Sequence, residues 1–280
     1  MTAPENWQQR LAAATESRGR LCVGLDPHPG ILQAWGLPDD LSGLAGFAGT
    51  VVSAFAGRVA VVKPQLAFFE AHGHRGLAIL EQLTSAFRQA GTLVLLDAKR
   101  GDIGSTMAAY ARTFLAPDGP YAADALTVSP YLGVRALAPA YELAAETGAG
   151  LYVLCRTSNP EADWQLSGDP TLAQQVVTDC RAVNAELGSA VLGLVVGATR
   201  QLDVELPGTE LSVLAPGFGA QGAQLRELDQ LYGTVAPAVL PTASRSVLAA
   251  GPGVDALRAA LADHLAQLPA RADGQEREQA

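Results

Sequence analysis

The stretch "LVLLDAKRGDIGSTMAAYA" (residues 93–111) decides the fold. It opens as a short Val/Leu run and closes with apolar residues at helical spacing. Between the two sit Asp97, Lys99, Arg100 and Asp102. A short continuous apolar run predicts a strand buried on both faces, as in parallel sheets covered by helices. Side chains alternate along a strand, so Asp97 and Lys99 share one face and Leu96, Ala98 and Arg100 the other. Leu96 and Ala98 suit an outer face packed on helices. Asp97 and Lys99 then point inward.

The same strand-to-helix unit recurs along the chain. Val/Leu-rich runs ending in polar residues stand at 20–26, 59–65, 93–99, 125–130, 150–158, 191–198, 211–217 and 235–245. Helix-like segments lie at 76–90, 104–116, 134–147, 171–187, 222–232 and 253–268, with apolar residues three and four apart. Eight βα units with no evident linker predict an α/β fold, a single (β/α)8 TIM barrel. The sixth unit is the weakest, since "TRQLDVELPGTE" (199–210) is short and contains Pro207, leaving room only for a brief helix. Residues 1–4 read as a frayed end. The barrel domain is expected over 1–268, followed by a flexible tail over 269–280.

Composition narrows the function. The chain has 280 residues, 49% hydrophobic and 17% charged, which is globular, and a formal net charge of -9 argues against coating nucleic acid. Cys22, Cys155 and Cys180 are scattered and form no CxxC pair, as expected of reduced thiols. The first residues lack a basic start followed by an apolar stretch, and no window reaches the roughly 18 apolar residues of a membrane span. A cytoplasmic protein without membrane or nucleic-acid partners is expected.

In such barrels the active site lies at the C-terminal ends of the strands. There the sequence places Asp26, Lys63, Asp97 with Lys99, Ser158 and Arg245. Asp102, in the turn after the third strand, suits a helix cap or chemistry equally, and Arg100 reads as solvated. An array of Lys63, Asp97, Lys99 and Asp102 would compensate itself, each ion pair at about 4 Å being worth ~4 kcal/mol at an effective dielectric near 20. It would hold each lysine as ammonium. Such a lysine donates protons, whereas an imine-forming lysine must be kept neutral.

These residues resemble a known family. "DAKRGDIGSTMAAYA" (97–111) resembles the D-x-K-x-x-D signature of the orotidine 5′-phosphate decarboxylases, in their longer bacterial form (the type 2 subfamily). "VGLDPHP" (23–29), "VKPQLAFFE" (62–70), "RTSNP" (156–160), "APGFGAQG" (215–222) and "ASRSVLAAG" (243–251) resemble its other motifs, in the family's order. The resemblance implies cofactor-free, metal-free conversion of orotidine 5′-phosphate to uridine 5′-phosphate. It implies that Lys99 protonates C6, that Asp97 sits beside the departing carboxylate, and that Lys63 bridges carboxylates and ribose. Asp26 would bind the ribose and Ser158 the pyrimidine. Pro216, Gln221, Ser244 and Arg245 would belong to the phosphate end. Asp102 and Thr106 would reach into a neighbouring subunit's site, making the enzyme a homodimer. Ser244 departs from many shorter members, which carry glycine there.

"GFGAQG" (217–222) also matches G-x-G-x-x-G. A dinucleotide fold would need an acidic residue about 20 positions on, and "VLPTASR" (239–245) has none. A phosphate site after strands seven and eight fits better, with Gln221 a donor, Arg245 a bidentate cation and the 216–224 loop closing over the anion. The rival enzyme is a magnesium-dependent sugar-phosphate decarboxylase or synthase on a related barrel. A silent nucleotide-binding barrel is the rival outside catalysis. His28, His72, His74 and His264 form no convincing metal set. Trp7, Trp35 and Trp164 read as packing or loop residues, with Trp164 a candidate to cap the mouth.

Overall fold

The computed structural model describes residues 5–198, 202–206, 208–219 and 222–269. Eight strands close into a parallel barrel in chain order: β1 (Cys22–Leu25), β2 (Val61–Pro64), β3 (Leu93–Arg100), β4 (Ala125–Val128), β5 (Gly150–Arg156), β6 (Leu192–Val196), β7 (Val213–Pro216) and β8 (Val239–Ala243). β8 returns to pair with β1, Cys22 opposite Thr242. Each strand falls within an apolar run expected from sequence, except that β3 runs one residue further, to Arg100.

The helices run α1 (Trp7–Arg18), α2 (Pro29–Ala34), α3 (Leu41–Phe55), α4 (Leu66–Glu70), α5 (Gly73–Gln89), α6 (Gly104–Leu115), α7 (Ala138–Thr147), α8 (Leu172–Leu187), α9 (Leu228–Tyr232), α10 (Arg245–Leu248) and α11 (Val254–Ala266). Apolar spacing anticipates α5, α6, α7, α8, α9 and α11, but not α1 or α3. α3 carries Gly43, Gly46 and Gly49 and no charge, so its propensity is poor. It forms because Asp40 caps it, accepting from Ser42 N at 2.8 Å and Gly43 N at 3.1 Å, and because Leu44, Phe47, Val51 and Phe55 are fully buried. Gly43 is required there, since a Cβ would stand 1.8 Å from the Pro38 carbonyl oxygen.

The brief helix expected in the sixth unit is absent among the described residues, where 202–206 and 208–212 are turn and irregular. Pro207 and most of the tail, residues 270–280, lie outside the described residues. No described helix is long and apolar enough to cross a membrane.

The strands separate two cores. Outside, residues such as Val23, Val62, Leu96, Leu126 and Val153 pack on the helices. Inside, every strand contributes to one packed cluster: Cys22, Val61, Leu95, Ala125, Tyr152, Val195, Leu214 and Leu240. Helix α1 closes the floor of this cluster. Its Trp7 meets Tyr152 edge-on, with centroids 6.1 Å apart, and donates from Nε1 to the Tyr152 hydroxyl at 3.2 Å. Gly150 makes room, because a Cβ there would lie 2.5 Å from the indole. Trp7 thus fills the α1 end of the interior, and the charged cavity lies at the strands' C-terminal ends.

Candidate active site

Leu95 and Asp97 face the barrel interior while Leu96 and Ala98 belong to the outer core, as the alternation requires. Beyond Asp97 the strand is irregular. Leu96 pairs with Leu126 and Arg100 with Val128, so the register slips between them. Lys99 sits in this bulge with φ +48°, the only non-glycine positive φ among the described residues. A left-handed L-residue costs roughly 1–2 kcal/mol.

Asp97 is the hub. Its Oδ2 accepts from Lys63 Nζ at 2.6 Å and Gln65 Nε2 at 3.2 Å. Its Oδ1 accepts from Lys99 Nζ at 2.5 Å and the Thr127 hydroxyl at 3.0 Å. Four donors fill the acceptor capacity of a carboxylate. Burial pushes the Asp97 carboxyl up, but Lys63 and Lys99 outweigh it and hold the group well below the usual carboxylate range. Burial likewise opposes charge on Lys63, and Asp97 and Asp26 overcome it, holding the ammonium above the usual lysine range. Lys63 and Asp97 are buried; the Lys99 side chain is 45% exposed and is not among the residues that line the adjoining cavity. One ammonium is locked in the interior and the other reaches the surface.

A cavity of about 200 Å³ above this pair is lined by Asp26, Lys63, Gln65, Asp97, Pro216, Gly217, Phe218, Thr242, Ser244 and Arg245. Residues from β1, β2, β3, β7 and β8 thus meet as expected. Asp26 is fixed by Ser244, whose hydroxyl donates to Oδ2 at 2.6 Å. The glycine in β1 makes this possible: a Cβ on Gly24 would stand 2.6 Å from the Ser244 Cβ. The buried Asp26 Oδ1 has no hydrogen-bond partner and is free to accept from a ligand hydroxyl. Arg245 is exposed on the rim with no acidic partner among the described residues, which suits an anion. Gly219, at φ +81°, lies so close to α10 that a Cβ would meet the Ser246 Oγ at 2.6 Å. Gln221 lies outside the described residues.

Other expected residues stand apart from the cavity. Ser158 is exposed after β5, against Gly197, where a Cβ would come within 3.0 Å of the Ser158 Cβ. Its loop is anchored by Arg156, which donates to Asp203 from Nε and Nη2 and to the Ala162 carbonyl at 3.2 Å. Trp164, 52% exposed on that loop, does not line the cavity. Asp102 does not join the charged array within the chain and does not cap α6. Its Oδ1 accepts from Ile103 N at 2.8 Å, and Ile103 is the cap residue, with no side-chain cap bond. Thr106 is exposed in the first turn of α6.

Arg100 is not simply solvated. It points outward, pairs with Glu70 and lies over the rings of Tyr110 and Phe114, at 5.7 and 6.0 Å. Sequence reasoning misses Gln65, Thr127, Phe218 and Thr242. A signal exists for Gln65, two residues after Lys63 on the same face, and for Thr127, the one polar side chain of β4. Among the described residues no group of three or more His, Cys, Asp or Glu could hold a metal.

Fold and site together define a (β/α)8-barrel enzyme built around a carboxylate that fixes two ammonium groups at the mouth. A sequence profile of the orotidine 5′-phosphate decarboxylase / HUMPS family matches residues 19–260. The chain belongs to that family. It is 55% identical over 264 residues to the orotidine 5′-phosphate decarboxylase of Salinispora tropica, covering 91% of this chain and 94% of that one. A crystal structure from Streptomyces avermitilis, assigned to the same enzyme, superposes with a TM-score of 0.90 at 48% identity, covering 95% and 96% of the two chains. The Leishmania donovani OMP decarboxylase superposes with a TM-score of 0.68 at 29% identity, covering 92% and 95%.

Proposed function

We propose that the chain decarboxylates orotidine 5′-phosphate to uridine 5′-phosphate and carbon dioxide, with Lys99 as the proton donor to C6. The observation that carries this reading is the Lys63–Asp97–Lys99 array, which presents a half-exposed ammonium beside a saturated carboxylate. When the bond from C6 to the carboxylate breaks, its electron pair stays on C6. An ammonium already fixed beside that carbon stabilises the charge without reorganising, and then transfers its proton. Asp97 stands next to the leaving carboxylate and holds Lys99 Nζ in place through their hydrogen bond.

The remaining roles follow the cavity. Asp26, through its unpartnered oxygen, and Lys63 hold the ribose hydroxyls. Arg245, with Pro216, Gln221 and the glycine loop, holds the phosphate. Ser158 reads the pyrimidine from the β5 rim. Ser244 acts through Asp26, since its hydroxyl is committed there. Phosphate binding far from C6 can drive closure of the 216–224 loop and so lower the barrier at the reacting carbon.

Asp102 and Thr106 serve a second copy of the chain in a homodimer with shared sites. Their exclusion from the chain's own cavity supports this. So do the exposed apolar residues beside them, Ile103 at 60%, Tyr131 at 82% and Leu132 at 54% exposed. One catalytic unit spanning 1–268 and a cytoplasmic setting complete the reading. An absorbance assay with orotidine 5′-phosphate tests it. Turnover that persists in excess chelator is expected. No turnover, or turnover abolished by chelator, would favour the magnesium-dependent sugar-phosphate reading instead.

A further inference from the structure

We propose that Thr127 is a positioning residue for this reaction: one hydroxyl on β4 sets where the Lys99 ammonium stands. Thr127 Oγ1 accepts from Ala98 N and from Lys99 N, both at 3.0 Å, and donates to Asp97 Oδ1 at 3.0 Å. A hydroxyl has one proton to give and two lone pairs, so its capacity is fully used. All three bonds fall on the bulge of β3. Two hold the backbone where Lys99 adopts its left-handed conformation, and the third orients the carboxylate that Lys99 Nζ contacts.

The anchor is rigid, since Thr127 is 1% exposed in a strand paired on both sides. The β3–β4 ladder is broken between Leu96 and Arg100, and there the Thr127 hydroxyl takes the place of a ladder acceptor for the amides of Ala98 and Lys99. Without the hydroxyl, the backbone amides of Ala98 and Lys99 lose their acceptor. The left-handed residue is then free to relax towards extended backbone, which redirects its side chain. Thr127 does not line the cavity and hydrogen-bonds to a lining residue only at Asp97, so its effect is expected on the proton donor and not on nucleotide binding.

The inference rests on the reading of Lys99 as proton donor, and the test separates the two. Thr127→Val keeps the shape and removes the donor and both acceptors. It is expected to lower kcat about 100-fold, the scale for displacing a reacting group by an ångström. The Kd for uridine 5′-phosphate should stay that of the unaltered chain, and Thr127→Ser should recover most of kcat. If the valine variant does not fold, Thr127→Cys, a weak donor and acceptor of similar size, is read in the same way. A valine variant with unaltered kcat, beside an inactive Lys99→Ala control, would overturn the role of Thr127 alone. So would a kcat loss matched by equal loss of product affinity, or one that serine does not recover. A fully active Lys99→Ala would overturn the underlying reading as well.

Discussion

At the scale of single residues, the site depends on small groups placed beside charged ones. Gly24 has no side chain, and so Ser244 can approach β1 and bind Asp26. A serine at this position does what glycine before the arginine could not: it fixes the carboxylate and leaves one oxygen unpartnered for a ligand. Ser244→Ala is expected to raise KM for orotidine 5′-phosphate about tenfold, the low end for a charge-assisted hydrogen bond, with kcat little changed. Steady-state kinetics with unchanged KM would remove Ser244 from the binding of substrate. The buried charged residues of the mouth were legible in the sequence because Lys63 and Asp97 interrupt apolar strands, where an unpaired charge is costly. Thr127 was not, because a hydroxyl in a strand is ordinary and its three partners become apparent only in three dimensions. Asp102 was ambiguous for another reason: within one chain it has neither a capping role nor a place in the array.

At the scale of elements, the strands were legible and some helices were not. A parallel strand buried on both faces has a composition that announces it, and seven of the eight lie inside their expected runs, β3 passing its run by one residue, Arg100. Helix α3 escapes the same reasoning because tertiary burial of Phe47 and its neighbours, not propensity, forms it. Helix α1 has little amphipathic pattern, since only Trp7, Ala14 and Thr15 are buried. It serves the barrel through Trp7, which closes the floor under Tyr152 and Ser212, whose oxygens lie 2.7 Å apart. Trp7→Ala should therefore destabilise the fold by about 3–5 kcal/mol, the usual cost of emptying a large aromatic site. Urea unfolding measures this directly; a change below about 1 kcal/mol would mean that the floor collapses around the void without loss.

At the scale of the whole molecule, the barrel divides its ends between stability and chemistry. The floor is filled by side chains from every strand and by Trp7, while the opposite end gathers Asp26, Lys63, Asp97, Lys99 and Arg245. Asp102 and Ile103 in the β3–α6 connection and Thr106 in the first turn of α6 do not line the cavity at this end, and Ile103 and Thr106 are exposed. The bulge thus holds Lys99 beside Asp97 in its own chain, and in the proposed homodimer the turn after it would offer Asp102 to a partner's site. The most direct test of the account mixes two inactive chains, Lys99→Ala and Asp102→Asn, and assays orotidine 5′-phosphate turnover after exchange of subunits. Random pairing makes half the dimers hybrids, each with one intact site, so about a quarter of the unaltered activity should return. Activity in Lys99→Ala alone, or none regained on mixing, would contradict the account.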